Sequence, residues 1–284
     1  MIYIINLNGG IYMSDKQIIK FIEQVKLEST YKKFIKTDII YKLMSIFNIG
    51  FEKQSYSNEL KNYLKIALQF YKEYNSNYYN IIIENIKSKK IIINQFEGKP
   101  FTNAKKETAY IRLYGNDGDL YIIVHELAHF IDKTSYPTII PNKYWFLSET
   151  FAFYIEKKLE IWLKSEKYKG LISTRTNNRI YFENKMLEAV ENELYYENLF
   201  RQKGTIEESD IDIKKIKSII KYDVPYNIVN YLLQYPLANI LSDYLIDNNI
   251  IQDDNELAEK CMNLDLYKVL EKYQKNLTIY SRKK

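Results

Sequence analysis

Both histidines of this chain, His125 and His129, fall inside one five-residue stretch, His125-Glu126-Leu127-Ala128-His129. On a helix, residues four apart stand one above the other on the same face, so both imidazoles can reach one metal ion while Glu126 points beside it. The stretch therefore demands a helix, and the surrounding sequence is expected to supply one. From Leu120 to about Asp132 the apolar residues Leu120, Ile123, Val124, Leu127, Ala128 and Ile131 recur at helical spacing. Asn116-Asp117-Gly118-Asp119 precedes them as a turn cluster whose last residue can cap the helix. Before the turn, residues 109–114 alternate like a strand, which is read either as an ordinary interior or edge strand or as one able to pair with an extended ligand.

Neutral imidazole is a good zinc ligand, and a catalytic zinc takes three protein ligands with a fourth position left for water. Bound zinc lowers the pKa of that water toward ~7. Glu126 sits too close in sequence to both histidines to be a comfortable ligand, but its carboxylate can take the proton from the water and return it later. The competing reading is a structural metal site. Such sites usually carry cysteines and four protein ligands, whereas the single cysteine, Cys261, is far away in sequence.

With no third histidine, the third ligand is expected to be a carboxylate. The segment Tyr144 to Glu156 reads as the next helix and sets Glu149 among Phe146, Leu147, Phe151, Ala152 and Phe153. An acid there is costly to bury without a partner, and a bound cation removes the cost. Glu149 is the expected ligand. Glu156, two turns on and so on the same face, either supports a ligand from behind or is a surface residue.

His125 to His129, then Phe146-Leu147-Ser148-Glu149 and Glu156, resemble the gluzincin pattern of the oligopeptidase F and thimet oligopeptidase family. Tyr231-Leu232-Leu233-Gln234-Tyr235-Pro236 is similar to that family's tyrosine-bearing helix. The resemblance implies a zincin-like catalytic domain, one Zn2+ on His125, His129 and Glu149, and peptide hydrolysis with Glu126 as base. It also implies a substrate-binding or oxyanion role for Tyr226, Tyr231 and Tyr235, positions that stand among 28 tyrosines. The family's histidine before those tyrosines is absent here. His125 to Asp132 also resembles toxin-type metalloproteases related to anthrax lethal factor and the proline-directed clostridial endopeptidases, which implies a chosen protein bond as substrate. Two non-peptidase readings remain: a zinc-bound interaction module without turnover, and a helical binding protein whose motif is coincidental.

Hydrophobic content of 46% with 15% aromatic residues is that of a globular chain. Eight glycines and five prolines among many helix-compatible runs point to a mainly α protein with a small β-sheet, an α+β chain. Helices are expected over Asp15 to about Val25, Thr30 to Phe47, Ser57 to Tyr74 and around Tyr79 to Ile86, with a strand over residues 90–96 and a turn over 97–100. Residues 1–88 read as an N-terminal helical region forming one wall of the cleft, and 89–284 as the zincin-like catalytic domain. After Glu156 the chain reads as helical, with breaks near Gly170, Gly204 and Pro225.

A formal charge of +5, with Lys and Arg interleaved among Asp and Glu, argues against a nucleic-acid partner. No stretch approaches the ~18–20 apolar residues of a membrane span. Residues 1–7 lack a basic n-region and a small-residue cleavage site. The expectation is a cytoplasmic protein acting on a peptide or protein, with export by a non-classical route left open.

Overall fold

The structure is a computed structural model, and it describes residues 13–30, 33, 36–47, 52–57, 62–94, 101–103, 108–135, 146–164, 168–222, 224 and 227–281. Among these residues the chain is mainly helical with one small sheet. It divides into two compact units, each built from two chain segments.

The first unit comprises residues 1–50 and 181–236. It holds α1 (Asp15–Glu28), α2 (Thr37–Phe47), α8 (Ile213–Ile220) and parts of two longer helices, α7 (Lys169–Lys203) and α9 (Ile228–Asp247). Ser14 opens α1 with a capping box: its hydroxyl accepts from the Gln17 amide while Gln17 Oε1 accepts from the Ser14 amide at 3.0 Å. Phe21 on α1 meets Tyr196 on α7 edge to face at 4.9 Å, and Leu43, Ile216 and Ile219 are buried in the same unit.

The second unit comprises residues 51–180 and 237–284. It contains α3 (Tyr63–Tyr74), α4 (Ser76–Lys87), β1 (Ile91–Ile93), β2 (Phe101–Asn103), β3 (Thr108–Ile111), α5 (Asp119–Ser135), α6 (Phe146–Trp162), α10 (Leu257–Met262) and α11 (Leu266–Ser281), with the remaining parts of α7 and α9. One apolar core joins α3, α4, the sheet, α5 and α6 through Phe70, Tyr71, Ile82, Ile111, Leu127 and Ile155.

The sheet order is β1-β3-β2, with β1 parallel and β2 antiparallel to β3. Of the two readings left open for the strand before α5, an interior strand and an edge strand beside a cleft, the sheet shows the interior one. Ala109, Tyr110 and Ile111 pair with β1 while Thr108, Ala109 and Tyr110 pair with β2. Both flanks of β3 are thus occupied, and pairing with an added strand has no room there. Beyond Ile111 the chain leaves the sheet, because the Leu113 amide donates to the Asn94 side chain at 2.7 Å rather than to a strand partner.

Other boundaries also shift. α2 begins at Thr37, not Thr30, and α3 at Tyr63, not Ser57. The backbone before α3 is committed elsewhere: Ser57 O accepts from the Asp117 amide at 2.9 Å, and the Asn178 side-chain amide accepts from Gln54 N at 2.6 Å and donates to Gln54 O at 2.9 Å. The break expected near Gly170 falls just before it, between the end of α6 at Trp162 and the start of α7 at Lys169, and Gly204 ends α7 at φ +75°, a left-handed conformation natural to glycine. The expected break after residue 88 does not coincide with the unit boundaries, because α3 and α4 share the core of α5. Pro225 and the expected turn at 97–100 lie outside the described residues.

Candidate metal centre

The start of α5 is fixed by Asp119, though not as the cap its position suggested. It is the first helical residue, and its carboxylate reaches back to accept from the amides of Tyr114 at 2.8 Å, Gly115 at 2.8 Å and Asn116 at 3.2 Å. Gly115 takes φ +75°, and at Gly118 a Cβ would stand 2.9 Å from both Asn116 Oδ1 and the Tyr56 ring. The turn thus needs glycine twice, once for its dihedral and once for space. Farther along, the buried Tyr71 hydroxyl donates to Val124 O at 2.8 Å, bracing α5 one residue before His125.

α5 and α6 then bring the expected ligands together. His125 Nε2 lies 3.1 Å from His129 Nε2, Glu149 Oε2 lies 3.3 Å from the first and 3.5 Å from the second. A tetrahedral zinc with ligands at ~2.0–2.1 Å needs neighbouring donor atoms roughly 3.3–3.4 Å apart. The triangle matches that edge length on all sides. Glu149 Oε2 is buried and, among the described residues, has no hydrogen-bond partner, so a cation between the three atoms would satisfy an otherwise costly acceptor. Two imidazole nitrogens and one carboxylate oxygen form a donor set suited to zinc. Among the described residues this is the group of three His, Cys, Asp or Glu side chains placed to hold a metal.

Each histidine is gripped from behind. His125 Nδ1 is 2.7 Å from Glu156 Oε1, and Glu156 is fully buried, so of its two expected readings the surface residue is excluded. His129 Nδ1 is 3.0 Å from Ser148 Oγ, which in turn donates to Asp132 Oδ2 at 2.8 Å. With protons on both Nδ1 atoms, both Nε2 lone pairs face the triangle.

Electrostatics favour positive charge at this point. Burial alone would depress the His125 imidazolium, but Glu149 and Glu156 overcome it and push its pKa up to about 10. Burial likewise opposes ionisation of Glu156, yet the Arg175 guanidinium and then His125 pull it down to about 2. Glu149 is driven below the usual carboxylate range against burial, first by His129 and then by His125. A metal can replace the proton that this arrangement otherwise holds.

Glu126 is buried on α5 between the two ligands in sequence. Tyr231 and Tyr235 lie on α9, their hydroxyls 3.3 Å apart, and Tyr231 is 41% exposed. They belong to the first unit, while the triangle belongs to the second. Tyr226 lies outside the described residues. Arg175, Ser148 and Asp132 were missed by sequence reading. Arg175 had no motif to mark it, but Asp132 and Ser148 stand three residues after one ligand and one residue before another, where a supporting partner could have been sought.

No family model matches the chain, and neither a curated protein nor a solved structure does. Among the described residues no helix is long and apolar enough to cross a membrane.

Proposed function

We propose that this chain is a zinc-dependent metallopeptidase of gluzincin type, hydrolysing bonds in peptides or in an extended protein segment. The observation that carries the reading is the triangle of His125 Nε2 and His129 Nε2 on α5 with Glu149 Oε2 on α6, with sides of 3.1 to 3.5 Å, beside an acid that directly follows His125. When bound there, zinc supplies a Lewis acid and lowers the pKa of water toward ~7.

The chain's own residues divide the remaining work. His125, His129 and Glu149 would hold the metal. Glu126 accepts the proton of the attacking water as the new carbon–oxygen bond forms, then delivers it to the amine nitrogen as the carbon–nitrogen bond breaks. Glu156 and Ser148 keep both imidazoles turned with Nε2 inward.

The test is to incubate the zinc-loaded protein and its Glu126→Gln variant with a mixed-sequence peptide library and read the products by mass spectrometry. The wild type should cleave, and the variant should lose about 10²–10⁴-fold in turnover while retaining zinc. Equal cleavage by both would remove Glu126 from the mechanism. Zinc binding without cleavage by either would favour the narrow, toxin-like protein substrate or the zinc-bound interaction module.

A further inference from the structure

We propose that Arg175 is a positioning residue of the metal centre, acting on His125 through Glu156. The inference rests on the metal-centre reading above and adds a third helix to it. Arg175 stands on α7, Glu156 on α6 and His125 on α5. Arg175 Nε donates to Glu156 Oε2 at 3.0 Å, and Nη2 donates to Oε2 at 2.8 Å and Oε1 at 2.9 Å. The planar guanidinium therefore fixes the plane of the carboxylate, which a lysine ammonium could not do. Glu156 Oε1 is left pointing at His125 Nδ1, 2.7 Å away. Arg175 is held in its turn, with its guanidinium carbon 5.3 Å from the centre of the Tyr121 ring.

The arm behind His129 is built differently. There a hydroxyl, Ser148 Oγ, stands between the imidazole and the Asp132 carboxylate. One ligand thus faces a carboxylate directly, and the other faces a neutral group. A carboxylate acceptor makes imidazole a stronger donor to metal than a hydroxyl does. Disturbing the His125 arm should consequently cost more metal affinity than disturbing the His129 arm, although Arg175 touches no ligand.

The experiment uses the full chain. Zn(II) affinity is measured by competition with a chromophoric chelator, and the visible spectrum is recorded with saturating Co(II), for wild type, R175M, R175K, E156Q, R175K/E156Q and S148A. R175M should bind zinc about 10–100-fold more weakly, R175K should fall between it and wild type with a shifted Co(II) band, and S148A should lose less than R175M. Because Arg175 acts through Glu156, R175K should add nothing in the E156Q background. Should R175M fail to fold by circular dichroism, R175K carries the test, since it keeps the charge and loses only the fork. R175K with wild-type affinity and spectrum would overturn the inference, as would fully multiplicative R175K and E156Q effects. A wild type without stoichiometric zinc would instead overturn the metal-centre reading, and this inference with it.

Discussion

The chain buries carboxylates in both of its units, with opposite results. In the second unit Glu149 and Glu156 face imidazoles and a guanidinium, and both ionise more readily than usual. In the first unit Glu28, Glu193 and Glu197 crowd one another, each at 1% exposure or less. Lys33 Nζ lies 2.6 Å from Glu197 Oε1 and 3.9 Å from Glu28 Oε2, and among the described residues neither Glu193 oxygen has a hydrogen-bond partner. Burial, then the charges of Glu197 and Glu28, pushes Glu193 up to about 8. Burial of an acid therefore does not identify a metal site. The candidate site differs in bringing an acid together with two imidazole nitrogens, and among the described residues His125, His129 and Glu149 form the group that could hold a metal ion.

The sharpest way to break the comparison is to remove one acid from each region. Glu149→Gln should weaken zinc binding beyond the ~10–100-fold typical of supporting residues, whereas Glu28→Gln should leave zinc affinity unchanged in chelator competition. Next in size is Lys33→Met, which strips Glu28 and Glu197 of their shared cation. Denaturant unfolding at neutral pH should show a loss on the order of 3 kcal/mol.

Glu193 gives a pH test with a definite sign. Its folded pKa of about 8 lies above its ordinary value of 4.5. The stabilisation that comes with its protonation is complete below pH 4.5 and is lost as pH rises through 8. Glu193→Gln should match the wild type in thermal stability at pH 4.5 and exceed it at pH 9. The smallest effect belongs to Arg201, whose side chain is 53% exposed and whose Nη2 lies 3.4 Å from Glu197 Oε2. Arg201→Gln should cost less than about 0.5 kcal/mol by the same denaturant assay, in contrast to Lys33→Met.

Much of the candidate metal site was legible because the residues that form it obey local rules. Four-residue spacing on a helix placed His125 and His129, and an acid set in an apolar helix marked Glu149. The α+β class and the existence of α1 to α4 were readable from periodicity and from the scarcity of glycine and proline. What escaped depended on distant parts of the chain. Arg175 reaches Glu156 from another helix, 19 residues on, and Asn178 holds Gln54 across 124 residues, so that the start of α3 is set by pairing and not by propensity. The occupied edges of β3 could not be foreseen either, because Phe101–Asn103 follows a turn signal and carries no alternation long enough to read as a strand. Asp119 was recognised as a helix-start residue, but whether its carboxylate serves the helix or the preceding turn is decided by the left-handed Gly115.

The most direct test of the account is the zinc stoichiometry and affinity of the purified chain beside its Glu149→Gln variant, by elemental analysis and chelator competition. The account predicts one zinc per wild-type chain, bound through His125, His129 and Glu149, and a variant that surrenders it to the chelator. A wild type without stoichiometric zinc, or a variant that holds it as tightly, would contradict the assignment.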